Sequence, residues 1–221
     1  MKPVPREPEL RPLRLVSDRP QGLADRQPRS DAELVEALRA GEPDAPEVLW
    51  EHYSPAVRRL LARALGPSTD IDDLTQEVFL RVFVRLPALR DPSALRAFTL
   101  SVAANVLKWE LRRRWVSRRV TLSGTGTLPD LAGTPDDLEA RQALRRCYAI
   151  FETLAANERI AFILRYMEGM TADEVAATLS VSARTVKRWV NRAGVKIAEK
   201  VALDPGLRDF FVVRGRDANA Q

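Results

Sequence analysis

The chain has 221 residues, 35 Lys+Arg against 30 Asp+Glu, a net charge of +5 and an isoelectric point near 9.8, a mild cationic excess that favours a polyanionic partner. A single cysteine, Cys147, and a single histidine, His52, exclude an internal disulfide, a Cys/His zinc centre and clustered imidazole ligation, and there is no GxxxxGK[ST], GxGxxG or GxSxG stretch. No apolar run approaches the ~18 residues that cross a bilayer, and the N-terminus lacks an apolar signal core, so the expectation is a cytoplasmic protein without membrane insertion, metal, cofactor or catalytic residues.

Residues 1–29 are rich in Pro and charge and lack periodicity, which predicts a disordered arm. Ser30 and Glu33 then form a capping box for a helix carrying Leu34, Val35 and Leu38 and stopping near Gly41. Val48, Leu49, Tyr53, Val57, Leu60, Leu61 and Ala64 repeat at helical spacing until Gly66-Pro67. In this helix His52 reads as a surface or packing residue. A third helix is predicted from Thr69 to Leu86, with Ile71, Leu74, Val78, Val82 and Leu86 inward, and a fourth from Asp91-Pro92, with Leu95, Phe98, Val102, Val106 and Leu107 on one face. Together these make a four-helix domain over 30–119.

The stretch 120–136 has no period and concentrates Gly, Thr, Ser and Pro, so it reads as a flexible linker. A second domain over 137–201 follows. Leu138, Leu144, Tyr148, Phe151 and Leu154 form one helix, in which Cys147 is a small apolar residue, and "NERIAFILRYMEG" forms another. "MTADEVAATLS" opens with a second capping box, Thr171 with Glu174, and only Ser180-Val181-Ser182 separates it from "ARTVKRWVNRAG". Ser182 is an N-cap for the last helix, and Ala176, Val181 and Val186 are shaped for two short helices that cross closely, a helix-turn-helix. The turn lacks the usual Gly, so Ser180 must take up the turn conformation at some cost. Residues 202–221 read as a tail. The fold class predicted is all-α, with two small helical domains joined by a linker.

Three stretches carry the functional reading. The last helix places Arg184, Lys187, Arg188 and Arg192 opposite an apolar seam of Val186 and Val190, which suits major-groove contact. "FTLSVAANVLKWELRRRWVSRR" interleaves Asn105, Lys108, Arg112, Arg113, Arg114, Arg118 and Arg119 with Trp109 and Trp115. Cations follow a phosphate backbone and flat rings take up unstacked bases, the combination that single-stranded nucleic acid requires. "DIDDLTQEVFLRVF" gathers Asp72, Asp73, Gln76 and Glu77 on the polar side of an apolar helix, where early acidic residues also suit the macrodipole.

Assembled in this order, residues 30 to about 200 resemble a bacterial extracytoplasmic-function sigma factor of the sigma-70 family. "DDLTQEVFLRVF" is similar to that family's region 2.2 signature. "AFTLSVAANVLKWELRRR" is similar to its promoter-melting and minus-10-reading helix, with Phe98 where the family often has Trp and Asn105 at its usual Asn. "TADEVAATLSVSARTVKRWVNRAG" is similar to region 4, the minus-35 reader. The resemblance implies a factor that joins core RNA polymerase and directs it to promoter DNA, with an anti-sigma factor as a candidate further partner. It implies polymerase contacts from Asp73, Leu74, Gln76 and Glu77, minus-10 strand contacts from Phe98, Asn105, Lys108, Trp109, Arg112 and Arg113, and minus-35 contacts from Ser182, Arg184, Thr185, Lys187, Arg188 and Arg192. Trp109 stands where the family commonly has Asp, and Arg188-Trp189 replaces a common Ser-Arg pair, so the promoter sequence does not carry over and Trp189 is open to either packing or reading. The rival reading is a stand-alone two-domain helix-turn-helix regulator, which predicts tight duplex binding without polymerase.

Overall fold

The Ser30 hydroxyl accepts the Glu33 N–H at 3.3 Å while the Glu33 carboxylate accepts the Ser30 N–H at 2.8 Å, so the expected capping box opens α1, Asp31–Ala40. The computed structural model describes residues 30–66, 70–120 and 138–207. The expected arm, most of the expected linker, and the tail beyond 207 lie outside the described residues. Gly41 ends α1 at φ 74, and α2, Ala45–Leu65, follows with its apolar face made of Leu49, Val57, Leu60 and Leu61, all fully buried. The Tyr53 hydroxyl reaches back to Asp31 Oδ1 at 2.5 Å and ties α2 to the start of α1; burial, then this bond, push the phenol pKa up.

Helix α3, Ile71–Arg85, and helix α4, Leu95–Val120, close the first unit against α2. Val78, Phe79 and Val82 of α3 meet Leu95, Val102, Ala103, Val106 and Leu107 of α4, residues that recur at three and four and so fall on one stripe. The expected start of α4 at Pro92 is a 3-10 turn, Pro92–Ala94, whose entrance is held by Asp91 Oδ1 accepting the Ser93 N–H at 3.0 Å.

The second unit contains α5, Leu138–Glu152, α6, Ala156–Phe162, α7, Ala172–Leu179, and α8, Ala183–Leu203. The single helix expected over "NERIAFILRYMEG" is instead α6 plus a π-helical turn, Ile163–Met167, in which the Glu168 N–H bonds Ile163 O. Helix α5 packs on α8 through a small separate core of Ala143, Ile150 and Leu207 with Cys147, Ile197 and Val201; Arg146 pairs with Asp204 at 2.6 Å beside it. No strand occurs among the described residues, and the all-α fold in two helical units agrees with the sequence reading.

The two units touch. One apolar cluster runs from α1 to α4 into Ile160, Ile163 and Leu164, then Val175, Ala176 and Val186. At its edge Arg63 pairs with Glu168 at 2.6 Å and also bonds Met167 O, and the Tyr148 hydroxyl donates to Ala62 O at 3.1 Å. Gly66, at φ 80, leaves room for the Tyr148 ring, which a Cβ there would meet at 3.4 Å.

Candidate nucleic-acid and partner interfaces

The Thr171 hydroxyl and the Glu174 carboxylate exchange bonds with each other's N–H at 3.2 and 2.6 Å, so α7 starts where the capping box requires. Ser180 caps its end at φ 53 and ψ 48, left-handed for a side chain with a Cβ, as a three-residue turn without glycine demands. Ser182 then caps α8, accepting the Thr185 N–H at 3.2 Å. Ala176 and Val186 are buried between α7 and α8, with Val181 half-buried in the turn. The helix-turn-helix is formed by the residues that pointed to it.

On α8, Arg184, Lys187, Arg188 and Arg192 are all exposed and have no ion-pair or hydrogen-bond partner among the described residues. They form a cationic surface with its side chains still to be engaged. Trp189 and Val190 are half-buried against the central core, so Trp189 packs. Ser182 and Thr185 are spent largely on the cap, their hydroxyls 3.0 Å apart.

On α4, Asn105, Trp109 and Arg112 are exposed and Lys108 half-buried, one face over successive turns. Asn105, Lys108 and Arg112 have no partner among the described residues. Phe98 turns inward and packs on the core. Arg113 is not a loose cation. Its Nε and Nη2 bond the two carboxylate oxygens of Glu110 at 2.7 and 2.9 Å, and its guanidinium lies 5.5 Å from the Trp109 ring centre. Arg114 donates to the same carboxylate at 2.8 Å and to Leu65 O. Sequence reading did not single out Glu110, although an acid three and four residues before two arginines is visible in "WELRRR"; its burial, at 1 % exposure, is not. Burial alone would push this carboxyl up, but the bonds and charges of Arg113 and Arg114 outweigh it and hold the pKa below its ordinary value.

On α3, Asp73 and Gln76 are exposed and unpartnered among the described residues, while Leu74 packs against the core and Glu77 pairs with Arg81 at 2.7 Å. Leu80 and Val84 extend the stripe of Asp73 and Gln76 as exposed apolar residues. The three candidate surfaces therefore lie on three different helices. Between the units is a cleft of about 520 Å³ walled by Leu111, Arg112 and Trp115 on one side and Thr153, Asn157 and Lys196 on the other. His52 is exposed, its ring edge against Tyr53, and Cys147 is half-buried.

A basic helix-turn-helix joined to a second helical unit with an exposed aromatic and cationic helix defines a class of two-part DNA-binding protein. Family comparison narrows it. Residues 49–116 match sigma-70 region 2 and residues 144–197 match sigma-70 region 4. The ferric citrate uptake sigma factor FecI of Escherichia coli (strain K12) is 31% identical over 151 residues, which cover 66% of this chain and 85% of that protein. The ECF RNA polymerase sigma-E factor of the same strain is 29% identical over 182 residues, covering 78% of this chain and 94% of the relative. The chain belongs to the sigma-70 family, in its extracytoplasmic-function branch. A solved structure of CnrH in complex with the cytosolic domain of CnrY shares the fold, with a TM-score of 0.59 at 23% identity over 80% of this chain and 99% of that one.

Proposed function

We propose that this chain is an RNA polymerase sigma factor that binds core polymerase and directs it to promoters by reading a minus-35 element with α8 and a minus-10 strand with α4. The observation that carries this reading is the separation of surfaces: unpartnered cations on the second helix of a helix-turn-helix, and exposed Trp109 among Asn105, Lys108 and Arg112 on a different helix of the other unit. Duplex recognition needs the first and capture of an unpaired strand needs the second. Asp73 and Gln76 have no phosphate-seeking charge and form the polymerase contact, with Glu77 behind them and Leu74 setting the helix in place. Ser182 and Thr185 border the duplex surface, Phe98 supports the strand-reading helix from within, and Arg113 contributes from its place beside Trp109. Residues 30–119 and 137–201 are the two working domains. The protein works in the cytoplasm without a catalytic role of its own, and an anti-sigma factor is its candidate regulatory partner.

The test is reconstitution. Purified chain, core polymerase and a library of promoter fragments should yield transcripts from defined starts only when both proteins are present. Tight, sequence-specific duplex binding by the free chain with no polymerase-dependent starts would favour a stand-alone regulator instead.

A further inference from the structure

Glu110 is a carboxylate on the DNA-facing helix that is itself almost wholly buried, at 1 % exposure, and every cation it holds is an arginine of that helix. A buried carboxylate cannot let go of its partners without leaving an uncompensated charge. Arg113 grips it with two parallel N–H···O bonds at 2.7 and 2.9 Å, a geometry that fixes the plane of the guanidinium as well as its place. That plane stands 5.5 Å from the Trp109 ring centre, within cation–π reach, while the ring remains 56% exposed and the Arg113 side chain 63% exposed. Nε and Nη2 are used on Glu110, so Nη1 is left for a phosphate or a base edge. The result is an exposed ring braced by a guanidinium that is braced in turn from below.

We infer that Trp109 and Arg113 form a ready-made platform for one unpaired base of the melted strand, and that Glu110 is the positioning residue that sets it. The inference rests on the strand-capture reading of α4 and adds to it the device that makes capture selective. A ring and guanidinium already fixed lose little conformational freedom on binding, whereas a free arginine would have to be ordered at that moment. The platform takes a base by its flat face, so it discriminates an unpaired strand from a duplex rather than one base from another.

The sign of one substitution separates this from simple charge attraction. Glu110→Gln keeps the side chain's shape and removes a negative charge beside the DNA. Attraction alone therefore predicts tighter binding to every promoter fragment. Positioning predicts the opposite for unpaired DNA. The assay uses full-length chain with core polymerase on two probes, a fork-junction promoter with a single-stranded minus-10 segment and the same promoter fully paired. Glu110→Gln should lower fork affinity about tenfold, within the range for base stacking on an aromatic ring, without lowering duplex affinity. Arg113→Lys keeps the charge and loses the fork-shaped grip, so it should lower fork affinity in the same direction with an unchanged salt slope, and it carries the test should Glu110→Gln fail to fold. Trp109→Ala separates the two layers. Loss of fork affinity in Trp109→Ala with none in Glu110→Gln or Arg113→Lys overturns the positioning role and keeps strand capture on α4. No loss in any of the three overturns both. Tighter fork binding by Glu110→Gln also overturns the platform.

Discussion

Ser180 sits at φ 53, where a Cβ crowds the backbone, and it is the only non-glycine residue with positive φ among the described residues. The neighbouring turn residues allow no other path, since α7 must end and α8 begin within three residues. Ser180→Gly should therefore stabilise the protein by about 0.5–1 kcal/mol, the relief of that crowding less the extra freedom of glycine in the unfolded chain. Urea denaturation of the two forms measures this, and a neutral or destabilising effect would show that the turn stores no strain. Glu110 makes a pH prediction at the same scale. Its folded carboxyl titrates below the ordinary value of 4.5, so its stabilising contribution is fully present above 4.5 and is lost as pH falls through the lowered folded value. The stability gap between the native chain and Glu110→Gln should stay constant at neutral pH and close only in acid below 4.5. A gap that begins to close well above 4.5 would mean that burial dominates and the carboxyl is raised.

At the scale of elements, the proposed polymerase contact and the proposed promoter-reading surfaces fall on separate helices and should be lost separately. Asp73→Lys on α3 should weaken association with core polymerase and leave duplex binding unchanged. Arg184→Ala or Arg188→Ala on α8 should do the reverse, each base-reading arginine costing about 1–3 kcal/mol and relaxing specificity at one position. Lys187→Ala, if Lys187 meets phosphate, should weaken all sequences alike and flatten the salt dependence. Paired titrations against core polymerase and promoter duplex at several salt concentrations check this; an Asp73 variant that loses DNA and keeps polymerase would undo the assignment of α3. The helix-turn-helix was legible because its determinants are local: Thr171 with Glu174, Ser182 with Thr185, and a seam at Val186. The π-turn at Ile163–Met167 was not, because "AFILRYM" is apolar around most of the helix and gives no period to break. Glu110 was hidden for a related reason. Its spacing to Arg113 and Arg114 can be read in the chain, but only the packing of α4 against α2 decides that its carboxylate is buried. Leu80 and Val84 alternate with the inward Val78 and Val82, and the helix turns them out to solvent, a placement that the apolar run "VFLRVFV" does not announce.

The contact between the units bears on how the whole molecule works. Minus-35 and minus-10 elements lie about 25 base pairs apart, roughly 85 Å along the duplex, whereas a compact body of about 160 residues, the described part of the chain, is about 40 Å across. With α4 against α6 and α7 the two helices proposed to read the promoter cannot span that distance, so promoter engagement should require the units to part. The polar ties across the contact include Arg63 with Glu168 and Met167 O, and Tyr148 with Ala62 O; Lys196, by contrast, pairs with Glu158 inside its own unit. Glu168 is 10% exposed and Arg63 35%, so removing the carboxylate should cost the closed form about 1 kcal/mol after allowance for solvent around Arg63. A binding-competent open form present only as a fraction lowers apparent affinity by that fraction. Glu168→Ala should therefore tighten binding to core polymerase by up to about fivefold, the factor equivalent to 1 kcal/mol, and should raise the mean separation of dyes placed on α3 and α8 in the free chain. The two readouts belong together. Tighter polymerase binding without greater separation would place the effect of Glu168 in the polymerase contact itself, and greater separation without tighter binding would mean that parting the units is not what limits assembly.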